Sequence, residues 1–183
     1  LPIFLSGALS IAREREEGTF DQLLVAPYTP GEILLGKGTA SVITGIIQAV
    51  FVVLVAMFWF RIPFQGSIWL LSAALLLFIV TAAAIGLCIS SFAQSLQQAI
   101  VGTFLLLVPM VMLSGFATPI SSMPEIFQSL TLLNPMRYGL ELIQRIFLEG
   151  ASFLDLWPLF AAIMAVTVVA VLAAVFSFHH KIS

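Results

Sequence analysis

The side chains able to do chemistry in this chain are few, and they cluster. Between Arg13 and Lys37 (REREEGTFDQLLVAPYTPGEILLGK) lie three of the seven Lys and Arg and five of the nine Asp and Glu. A second group, Arg137, Glu141, Arg145 and Glu149, recurs at every fourth residue. On a helix that spacing allows either a ladder of weak ion pairs or a solvated charge stripe. Neither group has the form of a catalytic site. There is no G-x-x-x-x-G-K-[ST] phosphate loop, and Gly36-Lys37-Gly38-Thr39 lacks the glycine spacing and preceding strand that would make one. There is no H-E-x-x-H pair, and His179 and His180 stand side by side near the tail. Cys88 is the sole cysteine, which excludes an intrachain disulfide and argues against a cysteine metal site. No Ser, His and acid combine as an intramembrane protease would need. The chain is not expected to be an enzyme by itself, and no metal site is expected.

The elements that position these residues are apolar. The chain is 61% hydrophobic and 9% charged, with mean hydropathy +1.14, against about 25% charged in ordinary soluble domains. A formal charge of −2 without a basic cluster argues against nucleic acid as a partner. A spanning helix needs about 20 apolar residues. Residues 38–60, 67–92, 99–117 and 156–178 meet or approach that length without one Asp, Glu, Lys or Arg among them. A charge at the bilayer centre costs at least ~2.5–3.5 kcal/mol on insertion scales, so these four segments are predicted to be full transmembrane helices. Residues 1–12 are predicted to be the end of a fifth. Because the chain starts at Leu1 and residues 1–12 are too short to span, the expectation is a longer protein whose N-terminal part is missing here. The predicted class is an all-α polytopic integral membrane protein.

The connections carry turn signals. Arg61-Ile62-Pro63-Phe64-Gln65-Gly66 contains two breakers. Ser91–Gln98 (SFAQSLQQ) is short and polar. Trp59 and Trp69 flank the first connection and Trp157 opens the last span, as suits the water–lipid boundary. Pro109 should kink the third span or end its regular part. If residues 13–37 are cytoplasmic, Ser91–Gln98 and the tail share that side, which then holds Arg13, Arg15, Lys37 and Lys181 against Arg61, Arg137 and Arg145 opposite. The basic residues favour that orientation slightly.

In the polar segment, Thr19 can cap a helix starting at Phe20. Asp21 would fall in the first turn, where the helix dipole favours an anion. Phe20, Leu23 and Leu24 share a face, and Pro27 and Pro30 are expected to end the helix. Such a short amphipathic helix either lies on lipid headgroups or docks on a soluble partner. Glu14-Arg15-Glu16-Glu17-Gly18-Thr19-Phe20-Asp21-Gln22-Leu23-Leu24-Val25-Ala26-Pro27, followed by Pro30-Gly31-Glu32-Ile33-Leu34-Leu35-Gly36-Lys37, resembles the ABC type-2 transporter permease family. Gly86-Leu87-Cys88-Ile89-Ser90-Ser91 and Gln97-Gln98-Ala99 are similar to further family motifs. So are Leu113-Ser114-Gly115-Phe116-Ala117-Thr118-Pro119-Ile120 with Met123-Pro124, then Asn134-Pro135 and Arg145. The resemblance runs in order over essentially the whole chain and departs at the N-terminus, where the family's first span and most of its second are absent.

The resemblance implies a membrane permease subunit of an ATP-driven exporter, most simply in the bacterial inner membrane. It implies that residues 13–37 form a cytoplasmic segment whose coupling helix (Glu16, Gly18, Thr19, Phe20, Asp21, Leu23, Leu24) docks on a separate ATP-binding cassette subunit. ATP and Mg would sit on that partner, leaving no cofactor in this chain. A second permease copy or half would complete the pathway, with membrane lipid around both. Between the third and last spans, residues 118–155 are too polar to span and too apolar for a plain loop. Pro119, Pro124 and Pro135 divide them into short helices, one capped by Ser121 or Ser122, the other following Asn134-Pro135 with Tyr138, Leu142 and Ile146 on an apolar face. The resemblance places these as extracytoplasmic re-entrant or interfacial helices. Non-helical backbone at membrane depth must be buried in protein or face water, so Ser114, Gly115 and Pro119 are candidate gate residues. Ser41, Thr44 and Gln48 share one face of the first full span, and Thr44 and Gln48 are candidate pathway residues. Ala82, Gly86 and Ser90 form a small-residue face suited to close helix packing. A secondary transporter would need intramembrane acids or broken inverted repeats, which the sequence lacks. A membrane anchor that recruits a soluble complex is the other alternative.

Overall fold

The computed structural model describes residues 2–16, 30–116 and 118–182. Among them there are helices and connections but no strand. The helices are α1 (Pro2–Glu16), α2 (Pro30–Leu54), α3 (Ile68–Phe92), α4 (Leu96–Met112), α5 (Glu125–Leu130), α6 (Pro135–Gln144) and α7 (Phe153–Ile182). Gly31–Trp59, Ile68–Phe92 and Phe153–Ser177 are long and apolar enough to cross a membrane, and Leu96–Met112 is apolar but shorter. The protein is therefore an all-α polytopic membrane protein. Many large apolar side chains on the long helices face outward, as lipid requires, and Trp59 and Trp69 are each 81% exposed beside the first connection.

Several helix limits differ from the sequence reading, each for a local reason. Pro30 starts α2, and the short helix it was expected to follow lies outside the described residues. The missing N–H of Pro30 costs nothing in a first turn, where the donor has no intrahelical partner. The third apolar run ends at Met112 rather than Ala117. Pro109 lies inside α4, and Leu113 N–H still reaches the Pro109 carbonyl at 2.8 Å, so the helix outlasts the proline by one turn. It stops where Gly115 takes φ +88°, the left-handed conformation that terminates helices. The last helix starts at Phe153, ahead of Trp157, because the Asp155 carboxylate accepts from both the N–H and the hydroxyl of Ser152.

The chain divides into two compact units. The first comprises Leu1–Gly45, Val80–Leu107 and Val168–Ser183. Its seam is α1 against α3, where the small residues make contact. A Cβ on Gly86 would lie 2.7 Å from the Phe4 carbonyl oxygen, and one on Gly7 would lie 3.1 Å from that of Ala83. Ser90 Oγ accepts from Ala12 N–H at 3.1 Å, a bond that only this close approach permits. The three-residue link between α3 and α4 is held by reciprocal capping. Ser95 Oγ accepts from Gln98 N–H, and Gln98 Oε1 accepts from Gln94 N–H. An apolar cavity of about 500 Å³ opens among α2, α3 and α7, walled by Leu35, Val42, Val80, Leu87 and Val171.

The second unit comprises Ile46–Ile79 and Val108–Thr167. Its core joins Leu71 and Ala74 of α3, Tyr138 and Leu142 of α6, Ile146 and Phe147 beyond it, and Leu156 and Ile163 of α7. The apolar face of α6 thus fills this core. Two π-helical turns, Val55–Trp59 and Arg145–Glu149, border the first connection. The second packs directly on it: Gln65 N–H donates to the Phe147 carbonyl at 3.1 Å, and a Cβ on Gly66 would run into the Ile146 carbonyl oxygen. Gly150 at φ +63° closes this contact against the Gln65 carbonyl.

Candidate functional site

The segment from the end of α4 to α6 is where this unit departs most from regular helix, and its geometry follows from satisfying the last carbonyls of α4. A helix end leaves four such acceptors unmatched. Here Pro109 O accepts from Leu113 N–H, and Val111 O accepts from Ser114 N–H and, at 2.7 Å, from its hydroxyl. Met110 O is matched from a distance: Asn134 Nδ2 donates to it at 2.7 Å. The same amide's Oδ1 accepts from Met136 N–H at 3.0 Å and so caps α6, with Pro135 in its first turn. One nearly buried side chain therefore caps two helices at once.

Around Asn134 the return segment binds itself. Tyr138 donates its hydroxyl to Leu132 O, and Arg137 Nη1 donates to Thr131 Oγ1, both partners lying in the 3-10 turn Thr131–Leu133. Thr131 Oγ1 in turn donates to Gln128 O at 2.7 Å. Neither Ser121 nor Ser122 caps α5. They lie in the 3-10 turn Ile120–Ser122, and α5 starts after Pro124 with no side-chain cap. Instead Gln128 Nε2 donates back to Met123 O.

Between a ladder of ion pairs and a solvated charge stripe on α6, the stripe describes these side chains better, with one rung formed: Glu141 and Arg145 approach to 3.5 Å with both side chains over a third exposed. Arg137 turns to Thr131, and Glu149 falls in the π turn, where five-residue spacing takes it out of register with Arg145.

Of the candidate gate residues, Ser114 is buried and its Oγ also accepts from Phe116 N–H. Gly115 provides the left-handed turn, and Pro119 precedes the 3-10 turn on the surface. Ser114 and Gly115 line a cavity of about 180 Å³ with Ile120, Arg137, Leu140, Glu141 and Gln144. Thr44 and Gln48 line neither cavity described here. Thr44 is exposed, its hydroxyl donating to Ala40 O, while Ser41 on the same helix is buried. Glu16 is the last residue of α1. Gly18, Thr19, Phe20, Asp21, Leu23 and Leu24 lie outside the described residues. Among the described residues, no group of three or more His, Cys, Asp and Glu is placed to hold a metal ion.

Sequence reasoning missed the dual role of Asn134 and the Arg137–Thr131 bond. The Asn-Pro step was a readable capping signal. The bond to Met110 spans 24 residues and left no local trace.

Residues 1–148 match the family described as ABC-2 type transporter. The chain is 34% identical over 180 residues to the probable multidrug ABC transporter permease YbhR of Escherichia coli (strain K12), covering 98% of this chain and 49% of that protein. It is 37% identical over 169 residues to the inner membrane transport permease YhhJ of the same organism, covering 91% and 44% respectively. It is 30% identical over 148 residues to nodulation protein J of Sinorhizobium fredii (strain NBRC 101917 / NGR234), covering 76% and 53%. No solved structure matches. The chain spans about half the length of the curated relatives it matches. A family match over most of the chain, on a set of long apolar helices, makes this protein a member of the ABC-2 type transporter family.

Proposed function

We propose that this chain is part of the membrane permease subunit of an ATP-driven exporter, working with a separate ATP-binding cassette subunit and a second permease copy or half. The observation that carries this reading is the family match across residues 1–148, which includes the whole charged segment between α1 and α2. A short helix over Gly18–Val25, with Phe20, Leu23 and Leu24 on one face, would seat in a cleft of the cassette. Glu16, Thr19 and Asp21 would form its polar border. ATP and Mg would be bound by the cassette, with closure of the cassettes pushing this helix as a rigid body. In this reading Ser114, Gly115 and Pro119 form the gate, and Thr44 and Gln48 border the pathway. Spans free of charge favour an amphipathic or apolar cargo, and the bacterial inner membrane is the proposed site.

The test is the ATPase rate of the full-length permease reconstituted with its cassette subunit, compared with Leu23→Asp and Gly18→Pro. The expected result is permease-dependent hydrolysis with cargo export in the wild type, and export lost in both variants while membrane insertion persists. Wild-type export by both variants would remove the coupling role from this segment. No permease-dependent hydrolysis would favour an anchor or secondary transporter.

A further inference from the structure

The apolar cavity of about 500 Å³ lies wholly within the first unit, and no role described so far uses it. Its walls run from Gly31 to Val42 on α2, from Val80 to Leu87 on α3 and from Val171 to Val175 on α7. Among the described residues no charged side chain lines it. Thr39 supplies the single polar side chain, and its hydroxyl already donates to the Gly36 carbonyl at 2.8 Å. The rest of the lining is Gly, Ala, Val and Leu. Such a hollow offers water nothing to bond to, and apolar cavities of this kind take up apolar ligands. Left empty, it would forfeit dispersion contacts for every side chain around it. Its glycines make room rather than contact. Small residues in membrane helices normally let backbones approach, as Gly86 does against Phe4. A Cβ on Gly31 would meet nothing within 4 Å, and one on Gly38 only the Leu87 side chain at 3.5 Å, an ordinary contact.

We propose that this cavity holds one acyl chain of a membrane lipid, from the leaflet in which α2 begins. Surroundings, shape, volume and charge each favour that occupant. All three walls belong to helices long and apolar enough to cross a membrane, where acyl chains are the solvent. The α2 wall extends about 16 Å at 1.5 Å per residue, close to half of a hydrocarbon core of about 30 Å, the depth of one leaflet. At roughly 30 Å³ per carbon, the share of one water in the liquid, the volume takes about 16 carbons, the length of a common membrane acyl chain. An uncharged wall complements an uncharged chain and gives a headgroup no partner, so the site selects the chain and not the head. The chain acts as a wedge that completes the packing of α2 on α3 and α7. This role is independent of ATP coupling and of export.

The experiment uses the full-length permease in phosphatidylcholine nanodiscs, with a small fraction of the lipid carrying a diazirine on a 16-carbon chain. After irradiation, peptide mass spectrometry compares labelling at Val42, Val80 and Val171 with labelling at Leu172. Leu172 is one residue further along α7, at the same depth, and is 62% exposed outside the cavity. The expected result is labelling of the three wall residues in excess of Leu172. The excess should persist when the labelled lipid has a phosphatidylglycerol head on the same chain. It should be lost in Gly31→Leu, which fills the end of the cavity where the chain enters, and in Val80→Phe, which fills it deeper. Gly36→Leu is the control, since Gly36 also has open space around it but does not line the cavity; the excess should remain. Wall labelling no higher than at Leu172 in wild type overturns the proposal, including the case in which another part of the permease or a second copy fills the space. That comparison needs no variant to fold. An excess unchanged by both filling substitutions also overturns it, as does one that follows the headgroup instead of the chain.

Discussion

The double cap at Asn134 can be taken apart by two substitutions. Asn134→Ser keeps a side-chain oxygen for Met136 N–H but is too short and lacks the second donor to reach Met110 O. Asn134→Ala loses both bonds. Removing the tie leaves a carbonyl at the end of α4 without its partner, next to a residue that is only 5% exposed. An acceptor stranded in this way costs about 1–3 kcal/mol. Losing the cap adds ~1 kcal/mol. At ~1.4 kcal/mol per factor of ten, the serine variant should accelerate local opening roughly 5- to 150-fold. The alanine variant should add about a further fivefold at the start of α6. Amide hydrogen exchange on the full-length protein reads this directly at Leu113, Ser114 and Phe116, whose N–H groups are bonded within the turn after α4. Wild-type exchange at these amides in Asn134→Ser would refute the tie. Equal exchange in the serine and alanine variants at Met136 and Arg137 would refute the cap.

Other substitutions probe the packing around these sites. Gly86→Val places a side chain against the Phe4 carbonyl and the Ala8 N–H; it should separate α1 from α3 and cost about 1–3 kcal/mol, seen as a lower melting temperature of the purified protein. Gly66→Ala should be worse, because its Cβ would run into the Ile146 backbone more closely than a Cβ on Gly86 meets that of Phe4; sharply reduced membrane accumulation is expected. Gly36→Ala, where a Cβ meets nothing within 4 Å, should be neutral or stabilise α2 by about 0.5–1 kcal/mol, which makes it the control for both.

The three long apolar helices were legible because lipid imposes one severe condition, long runs without charge, and that condition is written in composition. The packing face of α3, though not its partner α1, was legible for a related reason. Ala82, Gly86 and Ser90 repeat at helical spacing, and small residues in a membrane helix have little use other than close approach. Helix starts were read less well where two rules compete. Pro30 can end one helix or begin the next, and nothing within its own sequence window decides between them. The short helices after α4 were expected from their prolines, but their caps were misassigned. Ser121 and Ser122 have the right chemistry for capping, yet Pro119 and Pro124 draw them into a 3-10 turn. The irregular stretch after α4 was legible only as a region. Its geometry depends on Met110, Asn134, Thr131 and Arg137, and pairings across a long loop leave no periodic mark. The choice between a charge ladder and a solvated stripe was not legible for a similar reason: an i, i+4 pattern assumes an unbroken α-helix, and the π turn at Arg145–Glu149 breaks it.

That π turn also predicts how the chain tolerates changes in length. A π turn is an α-helix holding one surplus residue. Deleting a single residue from Arg145–Glu149 would restore α geometry and turn everything after it by about 100°. Gly150 would swing away from Gln65, and Gly66 would lose the backbone on which it sits. The exposed turn at Ile120–Ser122 has no such partner against its backbone, so length variation among relatives should gather there and avoid the π turn.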